Sequence, residues 1–112
     1  MMAKFEITKR KNGEFQFNLK ANNGEIILTS EGYIVKKSAI QGIASVKKNS
    51  QQPIRFEKKS SSNEKFFFNL RAGNNKVVGT SQMYKSEANR DKGIHSVMQN
   101  APLAEIVDLT LD

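Results

Sequence analysis

Two similar short segments carry basic, amide and aromatic side chains at alternate positions. The first holds Asn18 and Lys20, and the second, 51 residues later, holds Phe67, Asn69 and Arg71. Lysine and arginine neutralise phosphates, asparagine hydrogen-bonds to bases or sugars, and phenylalanine stacks on bases. If both segments are strands of one sheet, these five side chains form a candidate binding face for a nucleic acid or another polyanion.

Two other interpretations of this face remain open. Glu6 and Glu57 are expected to project to the same side from neighbouring strands, where they would pair with Lys20 and Arg71. The face would then be an ordinary solvated sheet surface with cross-strand ion pairs. Alternatively, further strands would cover the face, with Phe67 packed beneath them.

A second basic zone lies at the two ends of a predicted helix. Lys36 and Lys37 are at its start, and Lys47 and Lys48 are at its end. The last two are already accounted for by the negative end of the helix dipole, which favours cations.

Residues with catalytic chemistry are scarce. A nucleophile needs a neighbouring base, and the one histidine of the chain, His95, is predicted to be a surface residue of a helix. Without cysteine, a single histidine cannot build the usual zinc sites, and no glycine-rich phosphate loop is present. The sequence therefore predicts no enzyme activity, no catalytic residues, no metal and no cofactor.

The segments that position these residues are two copies of one unit. When residues 5–49 are placed on residues 56–100 without gaps, seventeen of the forty-five positions are identical. A unit of this size cannot bury a core alone, so the duplication predicts two halves packed about a pseudo-twofold axis. Both halves lie in one chain, and we expect a monomer with an internal pseudo-dimer.

Hydrophobic periodicity predicts three strands and one helix in each copy. The predicted elements are Lys4–Lys9, Phe15–Ala21, Glu25–Thr29 and helix Lys36–Lys48, then Arg55–Lys59, Phe66–Ala72, Lys76–Thr80 and helix Ser86–Gln99. Asn12-Gly13 and Asn23-Gly24 are typical of type I′ hairpin turns. Gly42 and Gly93, inside the helices, indicate a close approach of the backbone to the sheet or to the other helix.

The ends of these elements are also predicted. Asn49 and Asn100 are expected to close the helices in the left-handed conformation. Alternation resumes after the second helix and predicts a closing strand whose acidic side chains Glu105, Asp108 and Asp112 face solvent. We thus expect a single domain over residues 1–112, with repeat one at 4–50, repeat two at 55–101 and the closing strand at 103–111.

The composition limits the compartment and the partners. The net charge is +7, with +5 in residues 1–50, +5 in residues 51–100 and −3 in the last twelve. Such a charge favours contact with polyanions. The absence of cysteine is typical of a reducing compartment, and no apolar run approaches the length of a membrane span or a secretory signal. We expect a cytoplasmic protein that does not contact membranes.

Three motifs occur twice and in the same order. They are F-x-F-x-L-x-A at 15–21 and 66–72, T-S-x-x-Y at 29–33 and 80–84, and G-I-x-S-V at 42–46 and 93–97. With these motifs, residues 4–100 resemble the YegP-like family of small domains of unknown function. The chain departs from exact repetition where Lys58 replaces Ile7 and Gly79 replaces Leu28.

The resemblance implies an α+β fold. Two tandem β-β-β-α(-β) repeats would form a single antiparallel sheet with pseudo-twofold symmetry, exchanged last strands and two helices packed on one face. It brings no known active site. Two functions remain for a non-enzymatic module: binding of a polyanion through the sheet face, or a structural or protein-interaction role that uses the sheet edges or the tail.

Overall fold

The computed structural model describes residues 2–111, which form one seven-stranded sheet and two helices. The strands are β1 Lys4–Lys9, β2 Phe15–Lys20, β3 Ile26–Thr29, β4 Phe56–Ser60, β5 Phe66–Arg71, β6 Val77–Thr80 and β7 Glu105–Asp108. The helices are α1 Lys36–Asn49 and α2 Glu87–Asn100, and single 3-10 turns at Pro53–Arg55 and Ala101–Leu103 lead into β4 and β7. The sheet order is β4-β5-β6-β3-β2-β1-β7. The predicted α+β class is confirmed.

Alternation along the strands separates a buried face from an open face. Phe17 and Leu19 of β2 and Phe68 and Leu70 of β5 are fully buried beneath the helices. In each repeat a tyrosine stacks on the central phenylalanine, with ring centroids 6.3 Å apart for Phe17 and Tyr33. Both helices therefore pack on one face, and the alternate side chains of the same strands point away from them.

The pseudo-twofold axis passes between β3 and β6. These strands pair antiparallel through Thr29 and Thr80, which are equivalent residues of the two repeats. On the buried face at this axis, a Cβ atom added to Gly79 would lie 2.7 Å from Cδ2 of Leu28. The space at the axis accepts one leucine, so the two repeats cannot both carry it. This explains why glycine stands where exact repetition would place leucine.

The last strands are exchanged between the halves, as predicted, but the sheet is mixed rather than purely antiparallel. After α1, β4 pairs antiparallel with β5 of repeat two, and after α2, β7 returns to repeat one. There β1 already occupies the antiparallel position beside β2. β7 must therefore add outside β1, and its pairing with β1 is parallel. The strand is also shorter than the predicted 103–111.

One acidic residue of β7 points toward the helix layer instead of toward solvent. The Asp108 carboxylate lies 2.8 Å from Nζ of Lys36 at the start of α1, and it accepts a hydrogen bond of 2.8 Å from the backbone N–H of Thr110. Glu105 is exposed as expected, whereas Asp112 lies outside the described residues. Asp108 thus ties the closing strand to the helix of the other repeat.

We expect this ion pair to make the stability of the fold depend on pH in the acid range. The Lys36 ammonium and then Thr110 lower the pKa of Asp108 from 3.8 to about 2. The ionised carboxylate therefore stabilises the fold above pH 3.8, and this stabilisation is lost as the pH falls toward 2. Urea midpoints of Asp108→Asn should fall less than those of the wild type between about pH 5 and 2. Parallel curves for the two proteins would contradict this role.

The hairpin turns differ from the predicted type I′. In the loop Lys11–Gly13, only Gly13 has positive φ, at 88°, and Gly24 is equivalent at 84°. The N–H of Gly13 donates to the carbonyl of Arg10, while Oδ1 of Asn12 accepts from the N–H of Glu14. This is a three-residue loop with glycine at its left-handed position, which the dipeptide Asn-Gly alone does not distinguish from a two-residue turn.

The helix ends also differ in part from expectation. Asn49 and Asn100 are the last helical residues, and each side-chain amide donates to the carbonyl of the serine four residues earlier at 2.8 Å. The left-handed conformation predicted for both residues is wrong. Asn100 has φ of −91°, and the non-glycine residues of 2–111 with positive φ are Glu64 and Asn75. Ser86 is the N-cap of α2, and its side chain accepts from the N–H of Asn89. In the described chain, neither helix is long and apolar enough to cross a bilayer.

Candidate functional site: the open sheet face

The five residues predicted to bind a polyanion all lie on the open face, but in two groups. Asn18 and Lys20 project from β2, while Phe67, Asn69 and Arg71 project from β5. β3 and β6 lie between these strands, so three strand spacings, about 14 Å, separate the two groups. The exchanged strands lie at the edges of the sheet and do not cover this face. The side chain of Phe67 is half-buried on the open face.

In the first group, Lys20 is held by a carboxylate of the adjacent strand. Its Nζ lies 2.7 Å from Oε1 of Glu6, and Nζ of Lys4 lies 3.5 Å from the other oxygen. The hydrogen bond from Lys20 lowers the pKa of Glu6, so the carboxylate stays ionised well into acid. The side chain of Lys20 as a whole is 28% exposed.

The second group repeats this arrangement with more hydrogen bonds. Glu57 Oε1 accepts from Nδ2 of Asn69 at 3.1 Å and from Nη2 of Arg71 at 2.9 Å, and these bonds lower the pKa of Glu57. Oδ1 of Asn69 accepts from the Thr80 hydroxyl at 2.8 Å. Arg71 Nη1 donates to the backbone carbonyl of Asn75. The cross-strand ion pairs expected from the sequence are therefore present in both repeats.

The predicted second basic zone separates into different environments. Lys36 forms an ion pair with Asp108, and Nζ of Lys47 lies 5.9 Å from the centroid of the Phe5 ring. Lys48 instead lines a groove of about 480 Å³ between α1 and the β5–β6 turn, together with Arg55 and Asn74. Within residues 2–111, Nε of Arg55 is buried without a hydrogen-bond partner.

Arg55 is the basic residue that sequence reasoning missed. It belongs to the 3-10 turn between the repeats, in a segment that the periodicity assigns to the start of a strand. Only the tertiary fold brings the β5–β6 turn against Arg55 and the end of α1, so spacing along the chain gives no signal for the groove. A polar groove with two cations is a second surface that can attract anions.

Among residues 2–111, catalytic groups do not gather at either surface. His95 is exposed on α2, as predicted, and lies in a shallow groove with Asp91 and Lys58. No group of three or more His, Asp or Glu side chains that could hold a metal ion occurs within the described chain. The arrangement offers cations, amides and an aromatic ring, which suit recognition of a ligand.

Comparison with known proteins assigns the family. A model described as Domain of unknown function (DUF1508) matches the chain twice, at residues 11–57 and 61–108. The "UPF0339 protein in ptx operon 5'region" of Stutzerimonas stutzeri is 56% identical over 97% of this chain and 98% of its own length. The UPF0339 protein YegP of Escherichia coli K12 is 51% identical over 95% of this chain and 96% of its own.

Solved structures agree with this result. The solution NMR structure of E. coli yegP, a protein of unknown function, has a TM-score of 0.92 at 50% identity and covers 97% of this chain and 94% of that one. The solution NMR structure of a UPF0339 protein from Shewanella oneidensis has a TM-score of 0.91 at 50% identity, with 97% and 92% covered. The chain therefore belongs to the YegP-like UPF0339 family and contains two tandem copies of its domain of unknown function.

Proposed function

We propose that the chain is a non-enzymatic binding module that takes a polyanion, such as a nucleic-acid strand, across its open sheet face. The observation that carries the proposal is the symmetric pair of cations, Lys20 and Arg71, on an uncovered surface. Their strands are about 14 Å apart, so a polyanion must extend across β3 and β6 to contact both. Thr29 and Thr80 lie between the two cations and offer hydroxyl groups.

The carboxylates of the face determine how the cations act. Glu6 and Glu57 hold the Lys20 ammonium and the Arg71 guanidinium in place, which reduces the conformational entropy that binding would cost. They also repel phosphates, so the local attraction is weaker than two free cations would give. Seven of the 18 Lys and Arg residues pair with carboxylates in the described chain, and the rest contribute to the long-range field that attracts polyanions.

We further propose that the module works as a cytoplasmic monomer. The two repeats of one chain supply both halves of the sheet, and a chain without cysteine is typical of a reducing compartment. Sedimentation equilibrium should give the mass of one chain, 12.6 kDa, at low micromolar concentration. A concentration-independent mass of two chains would contradict the monomer.

Polyanion binding is tested by titrating labelled single-stranded and double-stranded DNA and RNA at 50 and 200 mM salt. We expect the affinity to fall with salt, because bound phosphates release counterions. The double variant Lys20→Ala/Arg71→Ala should bind a single strand about tenfold more weakly, and its log–log salt slope should be smaller by about 1.4, the value for two lost phosphate contacts. Absence of binding at 50 mM salt would exclude this function.

Two matched variants locate the site. Glu6→Gln/Glu57→Gln frees both cations without changing side-chain size, and we expect it to bind more tightly than the wild type. Lys48→Ala/Arg55→Ala removes the same number of charges from the groove beside α1 and should reduce binding only through the net charge. If this groove variant lost affinity and the face variant did not, the groove would be the polyanion site and the sheet face would not.

A further inference from the structure

The closing strand β7 lies in a groove that repeat one provides along the outer edge of β1. This groove, which we call the β7 groove, is lined by Phe5 and Ile7 of β1 and Ile43 of α1. Ala101 and Ala104, in the segment that leads into β7, are buried there, and the helix and the 3-10 turn are in contact. With β7 in place, Phe5, Ile7 and Ile43 are at most 1% exposed.

The duplicated fold provides an equivalent groove beside β4, and it is open. Phe56 and Ile94, the counterparts of Phe5 and Ile43, are each 8% exposed. Together with Met98 and Pro53 they form the apolar wall of a groove of about 370 Å³, whose remaining lining residues are Lys58, Asp91 and His95. We call it the β4 groove. Since the sheet ends at β4, none of the described strands covers it. The fold thus has two grooves for a closing strand, and the chain has one closing strand.

The outer edge of β4 also presents backbone groups for pairing. The N–H and C=O of Phe68 bond to Ser81, on the side of β6. Lys58 is opposite Phe68 in the β4–β5 pair, so this pair exchanges no ladder bonds and the N–H and C=O of Lys58 point outward. In repeat one the corresponding carbonyl, that of Ile7, accepts from the N–H of Leu109 just beyond β7.

Charges at the two grooves indicate what the open one would accept. In the β7 groove, the Asp108 carboxylate is met by Lys36. In the β4 groove a lysine comes from the strand itself, because Lys58 replaces Ile7, and its Nζ lies 3.3 Å from the half-exposed Asp91. Lys59 follows on the same edge strand. A carboxylate at the position equivalent to Asp108 would meet Lys58, whereas pairing of β4 with another β4 would bring lysines together.

We infer that the β4 groove is the docking site for an extended, acidic and apolar segment of a partner protein, which adds an eighth strand parallel to β4. Backbone hydrogen bonds to Lys58 supply the pairing, and apolar side chains of the partner cover Phe56, Ile94 and Met98. A partner carboxylate forms an ion pair with Lys58. The inference gives the protein-interaction alternative a defined surface, and this surface is separate from the open sheet face proposed for polyanions.

The closing segment of this chain provides the probe. A synthetic peptide of residues 101–111 is titrated to about 1 mM, a concentration that detects weak protein–peptide contacts, into the ¹⁵N-labelled full chain. We expect saturable amide shifts at Phe56, Lys58, Ile94 and Met98. The amides of β1 should stay unchanged, because the covalently attached β7 holds its own groove at high effective concentration. Shifts confined to β1 and α1, or no shifts, would overturn the inference.

Three variants and a control peptide separate pairing from charge. Lys58→Pro removes the ammonium together with an outward N–H, whose loss an edge strand tolerates, and should abolish the shifts. Lys58→Glu keeps the N–H and should weaken binding about tenfold through repulsion of the peptide carboxylates, whereas Lys85→Glu makes the same charge change on another exposed residue and should have little effect. A scrambled peptide should not bind. Equal binding of the scrambled peptide, or equal effects of the two glutamate variants, would contradict a specific site.

Discussion

Replacing Gly79 with leucine is expected to lower the free energy of unfolding by about 3 kcal/mol, because overpacking of a buried site forces shifted side chains and backbone. An added Cβ would lie 2.7 Å from both Cγ and Cδ2 of Leu28, which is fully buried at the pseudo-twofold axis. Neither strand can move away, since β3 and β6 pair at this point. Urea denaturation followed by circular dichroism measures the change.

The double variant Leu28→Gly/Gly79→Leu is the informative control. It moves the one leucine that the axis accepts from repeat one to repeat two. We expect it to be more stable than Gly79→Leu alone by about 1–2 kcal/mol, a coupling typical of residues in direct contact. If the two single effects simply added, the explanation of the broken repetition by one shared space would be wrong.

Replacing Gly93 with alanine is expected to cost about 2 kcal/mol in net stability, although alanine favours a helix over glycine by about 1 kcal/mol. The added Cβ would overlap the hydroxyl of Tyr84 and lie 2.7 Å from its Cζ. The tyrosine is held in place, because its ring stacks on Phe68 and its backbone N–H and C=O bond to Phe66. The helix would have to move away from the sheet.

Gly73→Ala is the matched control for this change. An added Cβ there would meet only Nη2 of Arg55, at 3.8 Å, so its unfolding free energy should stay within about 0.5 kcal/mol of the wild type. Adding Tyr84→Phe to Gly93→Ala should restore part of the stability by removing the hydroxyl. If thermal or urea denaturation gave Gly93→Ala the same stability as the wild type, the side chain of Tyr84 would have moved aside at no cost. The close approach of the helix to this side chain would then not limit stability.

Much of the fold could be predicted because the hydrophobic pattern that specifies it is local and occurs in both repeats. Period-two alternation placed β1 at Lys4–Lys9, as observed, and the interior glycines indicated the close approach of helix and sheet. The parallel direction of β7 could not be obtained in this way. It depends on β1 already occupying the position beside β2, which is a property of the assembled sheet.

The candidate face was predictable in composition but not in layout. Alternation places Lys20 and Arg71 on the side away from the core, and Glu6 and Glu57 beside them, as the ion pairs confirm. Alternation does not tell how many strands separate β2 from β5. The groove with Arg55 was not predictable, since it forms between a helix end and a distant turn.

The pairing of β7 with β1 has a consequence for how the molecule is made on the ribosome. β1 is synthesised before β7, with both helices and the other five strands between them, and each residue from Lys4 to Ile7 is opposite a residue of β7. The hairpins of both repeats form between neighbours in sequence, but this contact closes a loop of nearly the whole chain, the slowest kind to form. The outer edge of β1 therefore stays unpaired until β7 has left the ribosome, so this part of the sheet can close only after both repeats have been synthesised.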